Sequence, residues 1–423
     1  MASVDVTSLE RLCEEAKRAG PVLRRMPAKR KNETLHEMAD ALVRRTDEIL
    51  RENALDVSDA KAAHRAGAIV DRLLLDEDRI MAMARGIREV ASLPDPVGEV
   101  EAGWKLPNGL EVIRKRVPLG VVAVVYEGRP NVTSDATALC LKSGNAVVLR
   151  GSSIARRSNG IIADVLTRAL IEADIPAGAI VNVEGGHDQL RELVQFKHLI
   201  DLVVPRGGEE LKAFLMEHAQ VPVIYAASGN NHVYVHADAD VAKAVKIVVN
   251  AKVQRPGVCN SAETLLVHRD AADEVLPRTV RALIDGGVEL RICARSRTIL
   301  GESAEGLAPA TDLDYATEFL NLTMAVRVVD SLDDAVEHIE RYGSGHSEAI
   351  VTRSLEAARE FEAGIDAACI YINASTRFTD GGEFGMGAEI ANSTQKLHAR
   401  GPIGLRELTS MKYVITGDGH VRT

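Results

Sequence analysis

The spacing of apolar residues along the chain changes near residue 100. Before that point they recur three and four positions apart. Leu9, Leu12, Cys13 and Ala16 form one stripe, and Leu35, Met38, Ala39, Leu42 and Val43 form a second. This period predicts amphipathic helices with charged outer faces, the first opened by a capping box at Thr7-x-x-Glu10. Next, two alternating runs flank Asn108-Gly109 in the segment Trp104–Ile113. That pair predicts a hairpin closed by a two-residue turn.

From Val121 onward the apolar residues come in short unbroken runs: Val121–Tyr126, Ala146–Leu149, Ile180–Val183, Leu199–Val204 and Val221–Ile224. Helix-like segments at 132–142, 154–172, 189–196 and 209–217 separate them. Buried runs alternating with helices predict a parallel, doubly wound sheet, which binds ligands beyond the carboxyl ends of its strands. A second series begins near His232. It has a helix at Val241–Val253 and strands at Thr264–Val267, Ala325–Val329, Ala349–Val351 and Cys369–Ile372, and predicts a second α/β domain. The tail carries a β-like run, Leu408–Thr416, after the turn-rich Arg400–Gly404. Together with the hairpin, this run is expected to pair across a subunit interface.

Composition narrows the function classes. At 423 residues the chain exceeds what one core holds, so two or three domains are expected. Aromatic residues make up 3% and the formal net charge is -10, which disfavours nucleic-acid binding. Five cysteines, Cys13, Cys140, Cys259, Cys293 and Cys369, are scattered without a C-x-x-C pair. They read as free thiols in a reducing compartment. The residues Met1–Glu15 contain no apolar run of signal-peptide type, and Val121–Tyr126 is too short to span a bilayer. A cytoplasmic location with no membrane partner is expected.

No G-x-G-x-x-G follows any strand. Two other strand ends suit phosphate or ribose: Arg150-Gly151-Ser152-Ser153 and Pro205-Arg206-Gly207-Gly208. Glycine lets backbone N–H groups approach an anion, a helix N-terminus favours negative charge, and arginine adds a bidentate clamp. Cys259 lies in Gln254-Arg-Pro-Gly-Val-Cys259-Asn-Ser261, a loop between a helix and a strand with small neighbours that leave room for a substrate. A packing role is the alternative. Cys140 and Cys369 sit in apolar runs and read as core. His338, His346 and His398 fit no compact ligand spacing, so no metal site is read.

Longer stretches carry a resemblance. They are Val329–Ile350, with Ala335, His338, Ile339, Tyr342, His346 and Glu348 in place; Tyr126-Glu-Gly-Arg129-Pro-Asn131; Leu141–Gly151; Gly382-Glu-Phe-Gly385; and Thr394–Leu405. In that order, over essentially the whole chain, they resemble the γ-glutamyl phosphate reductases, a branch of the aldehyde dehydrogenase superfamily. The resemblance implies an aldehyde dehydrogenase-like α/β fold: two Rossmann-like parallel-sheet domains and a small β oligomerisation arm. The cofactor domain would take residues 1–100 and 119–231, the thiol domain 232–400, and the arm 101–118 and 401–423. A homo-oligomer, dimer or tetramer, is implied, with glutamate 5-kinase as a potential partner.

The implied reaction is NADPH-dependent reduction of L-glutamyl 5-phosphate to L-glutamate 5-semialdehyde and phosphate, in proline biosynthesis. The Cys259 thiolate would form a thioester, with the Asn131 side chain and the Cys259 backbone N–H as oxyanion donors. The resemblance assigns the cofactor to Arg150, Gly151, Ser152, the Pro205–Gly208 turn and Glu318, the last at the nicotinamide ribose. Arg150 or Arg206 would also suit the 2′-phosphate of NADPH. It assigns the substrate's anionic groups to Arg129, Lys142 and the Ser375-Thr376-Arg377 turn, and its amine to Glu383.

Hydrolytic aldehyde dehydrogenases carry a glutamate base upstream of the cysteine. Here the corresponding segment, Tyr225-Ala-Ala-Ser-Gly-Asn-Asn231, has no carboxylate. An enzyme that hands its acyl group to and from phosphate must not activate water, so the departure supports the reductase branch. Asn231 stands where that branch is expected to carry a small residue or cysteine. The competing readings are a hydrolytic NAD(P)-dependent dehydrogenase and a catalytically silent nucleotide-binding scaffold on the same fold.

Overall fold

The computed structural model describes residues 6–225 and 228–422. Ala226 and Ala227 of the segment lacking a carboxylate, and the side chain of Thr7, lie outside the described residues. The chain forms two compact units. The first comprises residues 1–225, 385–391 and 403–423, and the second residues 226–384 and 392–402.

The first unit opens with helices Val6–Arg25, Ala28–Arg44, Thr46–Ala62, Gly67–Leu73 and Glu77–Ser92. Their predicted stripes face inward: Cys13, Ala16, Leu35, Met38, Ala39 and Leu42 are all buried. Each large apolar side chain so covered contributes roughly 1.5–3 kcal/mol. They pack toward a four-stranded parallel sheet in the order Ile180–Asn182, Ala146–Gly151, Val121–Tyr126, Leu202–Arg206. Val121–Tyr126 is buried at every position, which explains why its run does not alternate. Val221–Ile224, expected as a further strand, makes only an isolated bridge from Val223 to Val203. Pro222 interrupts that run and has no N–H to continue a ladder.

The hairpin also departs from expectation. Val100–Lys105 pairs antiparallel with Glu111–Pro118, but the closing loop is longer than two residues. Gly109 N–H donates to the Leu106 carbonyl at 2.9 Å, and Leu106 N–H to that of Leu110 at 2.8 Å. Gly109 has φ +95°, whereas Asn108 is not in the left-handed region. Pro107 and Asn108 therefore form the turn and Gly109 the bulge of a three-residue loop. The tail strand Thr409–Thr416 pairs with the other edge of Glu111–Pro118, giving a three-stranded sheet within the chain. Val100, Trp104, Tyr413 and Ile415 are exposed on it.

The second unit is built on seven parallel strands in the order Ala308–Pro309, Glu289–Ile292, Thr323–Val329, Ala262–His268, Asn231–Val235, Ser347–Val351, Cys369–Ile372. Neither of the two outermost on one side was expected from the sequence: Ala308–Pro309 is only two residues long, and Glu289–Ile292 carries charge at alternate positions. Helices Val241–Val253 and Arg269–Asp285 belong to the same unit. An irregularity in register sets Asn231 opposite Ala262 but His232 opposite Thr264. Glu263 is the additional residue. Bulges of this kind re-aim side chains beside functional sites.

Candidate active site

In the second unit the thiol loop precedes the strand Ala262–His268, so Cys259 sits at the amino ends of the central strands. This reverses the carboxyl-end placement expected of parallel sheets. Cys259 is exposed, while Cys13, Cys140 and Cys369 are buried. Burial pushes the Cys13 thiol up to about 12 and raises that of Cys140 as well. Cys293 caps a helix, its Sγ accepting from Ser296 N–H at 3.3 Å.

The neighbours of Cys259 stitch its loop to the Ser375–Thr379 turn. Asn260 Nδ2 donates to the carbonyls of Arg377 (3.3 Å) and Thr379 (2.9 Å), and the Thr376 hydroxyl returns a bond to the Asn260 carbonyl at 2.7 Å. Ser375 Oγ accepts from Arg377 N–H at 3.3 Å. Thr376 and Ser375 are buried and hold the turn. What they present is Arg377, whose Nε donates to Gln254 Oε1 at 2.8 Å. Burial and the neighbouring Arg255 push the Arg377 guanidinium below its ordinary value, and Cys259, Asp380 and Glu383 favour its charge. Arg377 is thus a cation in the field of the thiol, and Glu383 is exposed nearby on the next turn. Arg255 and Gln254 were visible in the sequence, but nothing in their spacing marked them.

Gly229 packs against the Cys259 backbone. A Cβ there would lie 1.7 Å from the Cys259 carbonyl oxygen and 2.6 Å from its Cα. Glu318 Oε1 accepts from Gly229 N–H at 2.6 Å. Beneath this region, Lys252 and Glu263 form a fully buried pair at 2.5 Å. Burial pushes the Glu263 carboxyl up to about 7 despite that partner, and burial also lowers Lys252.

The first unit presents its candidates at the carboxyl ends of its strands, as the fold rule expects. Asn131 is exposed at the start of the helix Asn131–Lys142, and its Nδ2 donates to Asp135 Oδ2 at 2.9 Å. Burial pushes Asp135 up to about 6, against the pull of that bond and of Arg206. Arg129 is exposed just before the helix. Lys142, at the helix's other end, is buried; its ammonium is bonded to the Ala91 carbonyl at 2.7 Å and to Asn32 Oδ1. It ties helices together.

Arg150 is nearly buried, donating through Nη2 to the carbonyls of Gly185 (3.2 Å) and Gly186 (2.9 Å), while its buried Nε has no partner. A buried cation with an unused donor at a strand end fits an anionic cofactor group. Gly151 is glycine for packing, since a Cβ would meet Asn159 Nδ2 at 2.0 Å. Ser152 Oγ accepts from Gly128 N–H at 3.1 Å. At the other strand end, Arg206 is partly buried after Pro205. There the Gly208 N–H donates to Glu127 Oε2 at 3.1 Å, and Glu209 and Glu210 occupy the first helical turn. A Cβ on Gly207 would meet that Glu127 oxygen at 2.7 Å. Three carboxylates at a helix N-terminus disfavour phosphate and suit ribose hydroxyls. Nothing in the spacing of Glu127 marked it for this position beside Gly207 and Gly208.

His338 and His346 lie in separate buried surroundings, against Tyr315 and Tyr342 in one case and bonded to Ser347 Oγ in the other. Among the described residues no group of three His, Cys, Asp or Glu could hold a metal ion, and no helix is long and apolar enough to cross a membrane.

Two parallel-sheet α/β units, one carrying an exposed loop cysteine and the other basic strand ends, define an aldehyde dehydrogenase-like fold. Residues 1–288 match the model of the aldehyde dehydrogenase family. The chain is 52% identical over 410 residues to the γ-glutamyl phosphate reductase of Heliobacterium modesticaldum, covering 97% of each. The crystal structure of γ-glutamyl phosphate reductase from Thermotoga maritima superposes with a TM-score of 0.96 at 44% identity, over 98% of this chain and 100% of that one. An acetylating aldehyde dehydrogenase from Geobacillus thermoglucosidasius shares the fold, with a TM-score of 0.70 at 18% identity over the full length of both chains. The chain belongs to the aldehyde dehydrogenase family and, within it, to the γ-glutamyl phosphate reductases.

Proposed function

We propose that this protein catalyses the NADPH-dependent reduction of L-glutamyl 5-phosphate to L-glutamate 5-semialdehyde and phosphate, the reductive step of proline biosynthesis, through a thioester on Cys259. The observation that carries the reading is an exposed thiol on a loop hydrogen-bonded to the turn that bears Arg377, whose charge that thiol favours. A cation beside a thiol favours the thiolate, and the same cation suits a phosphate leaving group. Full-length likeness to reductases of this name supports the substrate.

The thiolate attacks the acyl carbon. A C–S bond forms, the C–O bond to phosphate breaks, and phosphate leaves with the electron pair. When bound, the nicotinamide cofactor supplies the hydride that takes the acyl carbon to the aldehyde level. Arg150, Gly151 and Ser152 would hold its anionic part, Arg206 and the Gly207-Gly208 turn one ribose, and Glu318 its second ribose. The carbonyl then re-forms, the C–S bond breaks, and Cys259 returns to thiolate. Asn131 and the Cys259 N–H serve as oxyanion donors, each worth about 3 kcal/mol. Asp135 fixes one N–H of the Asn131 amide and leaves the other for that role. Arg129 and Arg377 take the substrate's anionic groups and Glu383 its amine. The exposed face of the three-stranded sheet is the surface for homo-oligomer assembly.

The reaction run backwards tests this. Purified protein receives glutamate 5-semialdehyde and NADP⁺, with and without phosphate, beside Cys259→Ala. Turnover that requires phosphate and vanishes in the variant is expected. Turnover without phosphate makes the protein a hydrolytic dehydrogenase. Its absence throughout, in folded protein, supports the silent-scaffold reading.

A further inference from the structure

Asn231 is fully buried as the first residue of a central strand, and its carboxamide makes contacts far beyond its own strand. Nδ2 lies 2.8 Å from the Gly229 carbonyl, 2.8 Å from the carbonyl of Cys259 and 2.7 Å from that of Ser261. Oδ1 accepts from Ser347 N–H at 3.1 Å, on the neighbouring strand. One neutral side chain thus joins the Gly229 turn, the backbone on both sides of Asn260, and the sheet.

The chemistry of this position is demanding. Three carbonyl oxygens converge on one nitrogen, so the residue must donate there, while Ser347 requires an acceptor at the other end. Aspartate has the right shape and the wrong polarity, placing a carboxylate against three carbonyls. Serine and cysteine are too short to reach both ends. Gly229 completes the arrangement, because its missing Cβ lets the Cys259 carbonyl come within reach of the amide.

We propose that Asn231 is a positioning residue of the thioester chemistry: its carboxamide holds the Cys259 carbonyl and thereby fixes the direction of the thiol relative to the Arg377 turn. This rests on the proposed role of Cys259, but the clamp can be tested without turnover. Holding the nucleophile governs the chemical step and leaves substrate binding to other groups, so the effect falls on kcat.

The test compares wild type with Asn231→Ser, a small neutral variant, and Asn231→Asp, the isosteric one. The first readout is the rate at which iodoacetamide alkylates Cys259 between pH 6 and 9, with Cys259→Ala identifying the site. The second is kcat and KM of the phosphate-dependent reverse reaction. Folding is followed by circular dichroism and thermal melting. The expected result for folded Asn231→Ser is a kcat about tenfold lower or worse with KM within about twofold, and an alkylation profile displaced to higher pH. Unchanged alkylation and kcat in a folded variant overturn the proposal, and so does a change confined to KM. If both variants fail to fold while Cys259→Ala folds, Asn231 is a structural residue and the proposal is likewise overturned. A wild type with no reverse reaction removes the reading of function, while the alkylation comparison still decides the clamp.

Discussion

Replacing Gly229 by alanine adds one methyl group at the point where the structure leaves least room for it. The new Cβ would stand 1.7 Å from the Cys259 carbonyl oxygen, 2.4 Å from its carbonyl carbon and 2.6 Å from its Cα. All three are backbone atoms, so no flexible side chain can swing aside. Relief to the 3.0 Å that real Cβ atoms respect needs at least about 1.3 Å of relative movement (3.0 minus 1.7). Gly229 is itself restrained, its N–H by Glu318 and its carbonyl by Asn231. The thiol loop must therefore take most of the shift. Overpacking of this kind costs about 1–3 kcal/mol of stability. A nucleophile displaced by about 1 Å loses on the order of 100-fold in rate. Steady-state kinetics of the phosphate-dependent reverse reaction, with a thermal melt of the same preparation, would show kcat down by about 100-fold and a lowered Tm. A variant that melts like wild type and keeps kcat within about twofold would refute the reasoning, because the Cys259 backbone would then be free to move without consequence.

Three further outcomes are expected. Arg377→Gln should raise KM for phosphate by roughly 10- to 100-fold, the loss of one charge-assisted contact; saturation with phosphate measures it, and an unchanged KM would remove Arg377 from the site. Lys142→Met should lower stability by about 1–3 kcal/mol, since it strips the donor from the Asn32 amide oxygen and the Ala91 carbonyl. It should leave KM within about twofold, and urea denaturation together with kinetics separates the two effects. Asp135→Asn should change the pH dependence of stability. The folded carboxyl titrates at about 6 against an ordinary 3.8, so the folded protein binds the extra proton between those values. Wild type should lose about 1–3 kcal/mol relative to the variant as the pH rises from 4 to 6, and hold steady relative to it above. Urea titrations of both proteins at each pH measure this, and a constant difference would show that burial does not raise the group.

Much of the frame was legible because burial leaves a plain trace. The helix Val241–Val253 and the strand Cys369–Ile372 have the predicted bounds, and the fully buried run Val121–Tyr126 reads directly as a central parallel strand. Errors arose where one residue changes the backbone's options. Pro222 cancels a strand, and Pro107 turns a two-residue loop into three. The proposed nucleophile was visible only as a loop cysteine among small residues, and the structure shows it exposed. Its supports were not visible, because they act by atomic approach across long separations in sequence. Gly229 matters through a carbonyl 30 residues away in sequence, and Asn231 through four backbone groups on three segments. Lys142 shows the same limit from the other side: nothing in its spacing announced its burial or its bonds to Asn32 and Ala91.

The central claim is that the acyl group rests on Cys259, and mass spectrometry of a quenched reaction tests it most directly. Protein given glutamate 5-semialdehyde and NADP⁺ without phosphate should accumulate a glutamyl adduct on the peptide containing Cys259, and phosphate should discharge it. Turnover with no adduct on that peptide, or an adduct on another cysteine, would contradict the account.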